Sequence, residues 1–329
     1  MLTTKIRLLA TYFIIGGKDM LFVELLLLAL GFVLLVKGAD WFVEGASGIA
    51  DKFGIPQLVI GLTIVAMGTS APEAAVSITA ALKGNADITV GNVVGSNILN
   101  IFIILGIASV ITSIAVAKTT IRYEIPIMLA ATLLLLGCGA TGGTISLLEG
   151  IIMWVCFIGY LGYMFVMMKK GEMQADEIEA SNSPVWKMLF MGVLGLGLII
   201  VGSDVTVDAA TALAKMFGMS ERFIGLTIVA LGTSLPELFT SVVAARRGKA
   251  DIAIGNIVGS NIFNILFVVG TSALIIPVVF ASNFIIDCIV AIVAGLVLWA
   301  CVFRSKKLTR TGGIIMLICY LVYFLYLLF

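Results

Sequence analysis

The chain has 329 residues, of which 61% are hydrophobic and only 12% are charged, and its mean hydropathy is +1.18. Because a soluble domain carries about 25% charged residues, this composition excludes an ordinary soluble protein and predicts a helical membrane protein. The net charge of +1 gives no reason to expect a nucleic-acid partner. The absence of histidine from the sequence excludes imidazole metal ligands and Ser-His catalysis, so we expect neither an enzyme nor a cofactor. Any bound metal must be held by oxygen atoms, which favours hard cations.

Ten apolar segments follow one another along the chain, and each is long enough to cross a bilayer. They are predicted at about 21–52, 56–82, 88–112, 122–140, 146–168, 187–217, 220–246, 252–276, 284–303 and 312–328. These segments fill the chain, so we predict one all-α polytopic membrane domain with ten transmembrane helices. Residues 1–20 stand apart as an N-terminal extension, because their apolar run is short and interrupted.

The positions of the basic residues predict the orientation of these helices. Most of the 20 Lys and Arg residues fall in the loops after predicted helices 1, 3, 5, 7 and 9. The positive-inside rule places those loops in the cytoplasm. We therefore expect a multi-pass protein of the cell (inner) membrane, with both termini outside and the loop between helices 5 and 6 cytoplasmic.

The second half of the sequence repeats the first at an offset of 164 positions. The stretch GLTIVAMGTSAPE at 61–73 matches GLTIVALGTSLPE at 225–237. The stretch ADITVGNVVGSNILNI at 86–101 matches ADIAIGNIVGSNIFNI at 250–265. Long matches at one constant offset predict an internal duplication of the fold.

Each half of the duplication contains five predicted spans, which is an odd number. The two halves must therefore enter the membrane in opposite orientations. We divide the chain into a first repeat at 21–168, a cytoplasmic loop at 169–186 and a second repeat at 187–329. Inverted repeats of this kind are typical of secondary transporters, whose ion site lies near the bilayer midplane where the repeats meet.

Each repeat places a helix break and a carboxylate inside an apolar span. In the first repeat, a Gly-Thr-Ser-x-Pro segment that starts at Gly68 leads into Glu73, and Glu237 is the matching acid. A charge at this depth costs about 2.5 kcal/mol or more, so a functional role is expected. Ser70 and Glu73 also have the spacing of a capping box, which is the structural alternative. The break is expected to free carbonyl oxygens such as that of Ala66, and these would help to form a cation cradle.

The second repeated motif places a hydroxyl and an amide on one helix face. Ser96 and Asn100 are four residues apart, and the second repeat has the same spacing. The alternative is that these polar side chains only join neighbouring helices, and it applies most to Asn97 and Asn261.

Together the two motifs supply enough oxygen atoms to bind a cation. They are Thr69, Ser70, Glu73, Ser96 and Asn100 in the first repeat, and Thr233, Ser234, Glu237, Ser260 and Asn264 in the second. Calcium takes six to eight oxygen ligands in a flexible arrangement, whereas magnesium demands a tighter octahedron. Two glutamates would balance one calcium ion, and sodium is close to calcium in size. Competition of the two ions for the glutamates would couple their transport as in an antiporter.

The paired GTSxPE and GNxVGSN motifs resemble the alpha repeats of the cation/calcium antiporter superfamily, and in particular prokaryotic sodium/calcium exchangers. The resemblance covers residues 21–329. It implies ten helices in two inverted repeats, alternating access, and exchange of calcium for sodium. It also implies that the backbone carbonyls of Ala66 and Ala230 join the ten side chains named above as metal ligands. The expected partners are calcium, sodium and the lipid bilayer, and we expect a monomer.

Two other antiporters remain open at this stage. A calcium/proton antiporter could use the glutamates as proton carriers, although the hydroxyl and amide groups favour metal ions. A potassium-dependent sodium/calcium exchanger is the second alternative, and relatives of that type tend to carry acids where this chain has Asn100 and Asn264. Some relatives carry Asp at the position of Asn264, so a proton or potassium role is in doubt here. A channel fits inverted halves less well, because channels assemble pores from subunits.

Overall fold

A computed structural model describes residues 17–170, 184–219 and 230–328. The first half contains α1 (Gly17–Phe53), α2 (Gln57–Thr69), α3 (Ala71–Leu82), α4 (87–111), α5 (Thr120–Gly142) and α6 (Leu147–Lys170). The second half contains α7 (Val185–Met216), α8 (Ala230–Thr233), α9 (Leu235–Arg246), α10 (Ala250–Ile275), α11 (Phe284–Phe303) and α12 (Arg310–Leu328).

Eight helices in the described part of the chain are long and apolar enough to cross a membrane. The pair formed by α2 and α3 makes a ninth span, which is bent by 50°. The predicted span at 220–246 corresponds to α8 and α9, but its first ten residues lie outside the described residues. The predicted helix boundaries agree with the structure within a few residues, because the apolar runs end at polar loops.

Secondary structure in the two halves follows the offset of 164 positions seen in the sequence. Helix α3 at Ala71–Leu82 corresponds to α9 at Leu235–Arg246. Helix α4 contains a π-helical turn at Asn100–Leu105, and α10 contains the matching turn at Asn264–Val269. Such wide turns locally shift the helix register and are frequent at functional sites. Both turns begin at an asparagine of the repeated motif.

Four two-residue strands join the halves to each other. They are β1 (Ile114–Ala115), β2 (Thr144–Ile145), β3 (Val278–Val279) and β4 (Lys307–Leu308). β1 pairs antiparallel with β4, and β2 pairs antiparallel with β3, so each pair links a loop of one half to a loop of the other. The prediction of a purely helical chain missed these strands, because two residues are too few to show a strand periodicity.

The innermost helices are the two that contain the repeated GNxVGSN motif. In the most apolar stretch of each helix, 94% of the residues of α10 and 72% of those of α4 are buried inside the protein. The corresponding share is 17% for α1 and 17% for α12. The polar side chains of α4 and α10 are therefore held away from lipid, where they need partners within the protein.

Helices α1 and α7 pack so closely that their backbones touch at glycines. A Cβ atom on Gly195 would lie 2.5 Å from the backbone nitrogen of Phe42 and 2.7 Å from the carbonyl oxygen of Gly38. One on Gly202 would lie 3.0 Å from the carbonyl oxygen of Gly31. Residues later in α1 contact residues earlier in α7, so the two helices are antiparallel. Small residues permit such close helix packing in membrane proteins.

The Gly195→Ala variant should unfold at a lower temperature than the wild-type protein. Its added methyl group would overlap backbone atoms that have no room to move, at a cost of about 1–3 kcal/mol. Gly197→Ala is the matched control, since nothing lies within 4 Å of a Cβ at that position. Alanine is favoured over glycine in a helix by about 1 kcal/mol, so the control should be as stable as wild type or more. Thermal unfolding in detergent measures both, and equal stability of the two variants would contradict the backbone contact.

Candidate ion-binding site

The bend between α2 and α3 places Glu73 in the first turn of a new helix. Ser70 has φ −83° and ψ 7°, which are not helical values, and Pro72 has no N–H to continue the helical ladder. In the second half, Ser234 has nearly the same backbone angles, φ −91° and ψ 5°, and Glu237 lies in the first turn of α9. The same local sequence therefore produces the same break and the same carboxylate position twice.

The hydroxyl of Ser70 binds the opposite half of the protein. It makes no capping bond to α3, and its Oγ donates to Glu237 Oε1 at 2.7 Å. The capping-box interpretation is therefore wrong for Ser70. One residue earlier, Thr69 Oγ1 donates to Asn256 Oδ1 at 2.9 Å. The break in the first half is thus stabilised by hydrogen bonds to side chains of the second half.

The carbonyl of Ala66 is not freed by the break, contrary to the expectation from the sequence. The backbone N–H of Ser70 donates to it at 3.0 Å, and Ser260 Oγ donates to it at 3.3 Å. The helical hydrogen bond survives because the bend begins only at Ser70. The bond from Ser260 nonetheless places this carbonyl at the contact between the two halves.

Glu73 and Glu237 are both almost completely buried, with 1% of each exposed, and their charges interact. Each is surrounded by hydroxyl groups of the opposite half. Thr233 and Ser234 lie beside Glu73, and Ser70 lies beside Glu237. Within the part of the chain that the structure describes, the Oε2 atom of each glutamate has no hydrogen-bond partner, and neither has Ser234 Oγ. The centre of the protein thus contains two carboxylates with unused acceptor oxygens.

Four asparagines bind one another across the contact between α4 and α10. Asn97 Nδ2 donates to the carbonyl of Asn261, and Asn261 Nδ2 donates to the carbonyl of Asn97, both at 3.1 Å. Asn100 Nδ2 donates to Asn261 Oδ1 at 2.9 Å, and Asn264 Nδ2 donates to Asn97 Oδ1 at 3.2 Å. These bonds use the amide nitrogens of Asn100 and Asn264 and leave their Oδ1 atoms without a partner.

Asn97 and Asn261 therefore join helices, as the packing interpretation predicts, and they also orient the two predicted ligands. Asn92 and Asn256 form a further pair that sequence reasoning missed. Asn92 Nδ2 donates to Ser77 Oγ at 2.9 Å and to the carbonyl of Glu73 at 3.2 Å. Asn256 makes the corresponding bonds at 2.9 and 3.5 Å. The sequence signal that could have identified these two asparagines is their position, because each directly follows the first glycine of a GNxVGSN motif.

The remaining predicted ligands lie close to this centre with less defined contacts. Ser96 is buried on α4 one turn before Asn100. Thr233 is half-buried at the end of α8, and Ala230 begins that helix, directly after residues outside the described part. Within the described residues, no cluster of three or more Asp, Glu or Cys side chains could hold a metal. The centre instead combines two carboxylates with amide and hydroxyl oxygens, which is a donor set for hard cations.

The fold and this centre define a polytopic helical membrane protein with one buried polar site built by two homologous halves. Comparison with known proteins agrees with this class. Residues 23–166 and 187–329 match the family described as sodium/calcium exchanger protein. The chain therefore belongs to the sodium/calcium exchanger family.

Individual relatives and a solved structure agree with this assignment. The chain is 42% identical to the putative antiporter CaxA of Alkalimonas amylolytica, over 91% of this chain and 96% of that protein. It is 37% identical to the inner membrane protein YrbG of Escherichia coli, over 88% of this chain and 92% of that protein. The structure of the sodium-calcium exchanger NCX_Mj soaked with zero Na⁺ and Ca²⁺ superposes with a TM-score of 0.81 at 32% identity, over 93% of this chain and 99% of that one.

The Asn261→Ala variant should be less stable than wild type. It removes the acceptor of Asn100 Nδ2 and the donor to the Asn97 carbonyl, and each buried group left without a partner costs about 1–3 kcal/mol. Asn85→Ala is the control, because Asn85 is exposed. Thermal unfolding of the two variants in detergent would measure the difference. An Asn261→Ala variant as stable as the control would show that the crossed amide bonds do not hold α4 and α10 together.

Proposed function

We propose that this protein is a secondary active antiporter that exchanges calcium for sodium at the centre described above. The observation that carries the proposal is a set of four buried acceptor oxygens that have no donor among the described residues: Glu73 Oε2, Glu237 Oε2, Asn100 Oδ1 and Asn264 Oδ1. A buried polar atom without a partner is costly. One carboxylate and one amide from each half would together be satisfied by a cation bound between the halves.

The charge and chemistry of these groups favour calcium and sodium. Two interacting carboxylates need positive charge nearby, and one Ca²⁺ balances both. Amide, hydroxyl and carbonyl oxygens can complete the six to eight ligands that calcium takes, whereas Mg²⁺ demands a tighter octahedron. Sodium ions can use the same oxygens. Because either ion neutralises the same glutamates, the two compete, and competition for a shared site couples their movements.

We further propose ten spans in two inverted five-helix repeats, at 21–168 and 187–329, with alternating access to a site near the midplane. The matching helix bounds and the crossed asparagine bonds support this arrangement. The family assignment supports it as well, since the match falls in two segments, one in each half. Broken helices that meet between inverted halves are typical of alternating-access transporters.

We infer that the protein lies in the inner membrane, with both termini outside and the loop at 169–186 cytoplasmic. The excess of Lys and Arg in the odd-numbered loops supports the orientation. The name of the relative YrbG, an inner membrane protein, supports the location. One chain supplies both halves of the site, so the exchange needs no second subunit, and we propose a monomer.

Calcium uptake into proteoliposomes tests the function directly. Vesicles loaded with sodium and matched vesicles loaded with potassium would receive external calcium, each with and without an imposed pH gradient. We expect uptake that requires internal sodium and does not respond to the pH gradient. Uptake driven by the pH gradient without sodium would make protons the counter-ion, and uptake that also needs potassium would identify a potassium-dependent exchanger.

Glu73→Gln and Glu237→Gln should each reduce sodium-driven calcium uptake by roughly a hundredfold or more. Loss of one carboxylate leaves half of the calcium charge unbalanced in a buried site, at a cost of about 3–5 kcal/mol. Glu149→Gln is the control, because Glu149 is a partly buried carboxylate at the start of α6 that is not a candidate ligand, and Gln keeps an oxygen that can accept from Ser146. All three variants should unfold at similar temperatures without ions. Normal uptake by both site variants would place the calcium site elsewhere.

Asn264→Asp tests whether this position is a ligand. A third carboxylate beside two others resists ionisation, so the variant should need a higher pH for calcium uptake and should change its preference among sodium, potassium and calcium. Uptake measured across a pH series, next to the Asn85→Ala control, would detect the shift. A pH profile and ion preference identical to those of wild type would remove Asn264 from the ligand set.

A further inference from the structure

A third buried carboxylate lies outside the candidate ion site. Glu124 ends the π-helical turn Thr120–Glu124 at the start of α5, and none of it is exposed. Tyr163 of α6 donates from its hydroxyl to Glu124 Oε1 at 2.6 Å. Glu124 Oε2 has no hydrogen-bond partner among residues 17–170, 184–219 and 230–328. One helical turn earlier, Thr120 is also fully buried, and its Oγ1 has no partner either.

The described residues around Glu124 provide one like charge and no counter-charge. Asp251 of α10 interacts with it as a like charge. No ion pair with Lys or Arg is among the contacts of Glu124 in the described residues, and the side chain of Arg122 points instead over the ring of Tyr123, with 5.5 Å between guanidinium and centroid. A buried carboxylate without a counter-charge destabilises the folded protein. Glu124 therefore needs a bound positive species.

We propose that Glu124 is a proton-binding site. Thr120 lies beside this carboxyl group, and its hydroxyl can donate to an ionised Oε2 or accept from a protonated one. Only the protonated form removes the buried charge. The Tyr163 hydroxyl already satisfies Oε1. A metal ion fits this place poorly, because one carboxylate oxygen and the hydroxyl of a neighbouring threonine are far fewer than the six or more ligands that calcium requires. In the second half, Cys288 occupies the position at the offset of 164, and the neighbouring Asp287 accepts from the Tyr323 hydroxyl of α12 at 2.8 Å.

The titratable groups that face Glu124 are Tyr160 and Tyr163 of α6 and Asp251 of α10. From α11, the indole of Trp299 donates to the carbonyl of Ile121, and it does not titrate. Loss of the proton would place a negative charge between α5, α6 and α10, which pack against one another. The tyrosine side chains carry no positive charge and Asp251 carries the same sign as Glu124, so none of these groups would compensate the charge.

This position connects the proton to the ion site. Tyr160 Oη donates at 3.3 Å to the carbonyl of Leu62, in the turn that precedes the break at Ser70. Helix α10, against which α5 packs, contains Asn264. Deprotonation of Glu124 should weaken the packing of the helices that position the candidate ligands.

Infrared spectroscopy of the purified protein in detergent tests the bound proton without any transport assay. At neutral pH the wild-type spectrum should contain the C=O stretching band of a protonated carboxyl group, sensitive to deuteration, that the Glu124→Gln spectrum lacks. The Glu149→Gln variant should retain the band. A difference spectrum that assigns only carboxylate bands to Glu124 would overturn the proposal.

Thermal unfolding gives a second readout, because Gln is a neutral copy of the protonated acid. Its carbonyl can accept from Tyr163 and its amide can donate to Thr120. Glu124→Gln should therefore match wild type at about pH 4, where the acid is protonated in the folded and the unfolded chain alike. At higher pH wild type must take up a proton to fold, so it should lose stability relative to Glu124→Gln as the pH rises. If sodium or calcium instead stabilised wild type but not Glu124→Gln, Glu124 would bind a metal ion and the proton site would be wrong.

The Thr120→Val variant keeps the carboxyl group and tests the acceptor. Without the bond to Thr120 Oγ1, the C=O band of Glu124 should move to a higher frequency. A band that stays at its wild-type position would exclude Thr120 as the acceptor. None of these measurements depends on exchange activity, so failure of the proton site and failure of the antiport proposal are distinguishable.

Discussion

The cost of burying two carboxylates inside a membrane protein governs the arrangement of everything around them. Glu73 and Glu237 are shielded from lipid and water, and each leaves one oxygen without a donor. A protein interior tolerates such groups only when they are neutralised or bound. The helix breaks at Ser70 and Ser234, and the burial of α4 and α10, all place oxygen atoms around this one volume. The surrounding structure is organised around these two buried carboxylates.

The two halves depend on each other at the level of single hydrogen bonds. Hydroxyl groups of each half lie beside the glutamate of the other, and the asparagine bonds cross in both directions. In each half, some buried polar side chains find a hydrogen-bond partner only in the other half. The symmetry is not perfect, because Ser203 Oγ of α7 donates to the Gly232 carbonyl at 2.7 Å, and the equivalent residue in α1 is Ala39. The outer helices therefore contact the two breaks differently.

Much of this architecture could be predicted from the sequence, because periodicity, helix breaks and duplication are local signals. The spans, the breaks next to Glu73 and Glu237, and the pairing of the repeats all follow from such patterns. What could not be predicted depends on groups far apart in the chain. Ser70 has the spacing of a cap, yet its partner is 167 residues away. Glu124 belongs to no sequence motif. Only the packing of α5, α6 and α10 shows that its carboxyl group is buried and that its Oε2 atom has no hydrogen-bond partner in the described residues.

The glycine contacts between α1 and α7 have a consequence for biogenesis. A chain is synthesised and inserted from its N-terminus, so α1 enters the bilayer more than a hundred residues before α7 is made. Until α7 is inserted, no helix packs against α1 at Gly31 and Gly38, so lipid chains must contact that surface. The last step in closing this helix pair displaces lipid rather than water, and it is driven by close van der Waals packing instead of the hydrophobic effect. The packing of α1 is therefore completed only after α7 of the second half has been synthesised and inserted.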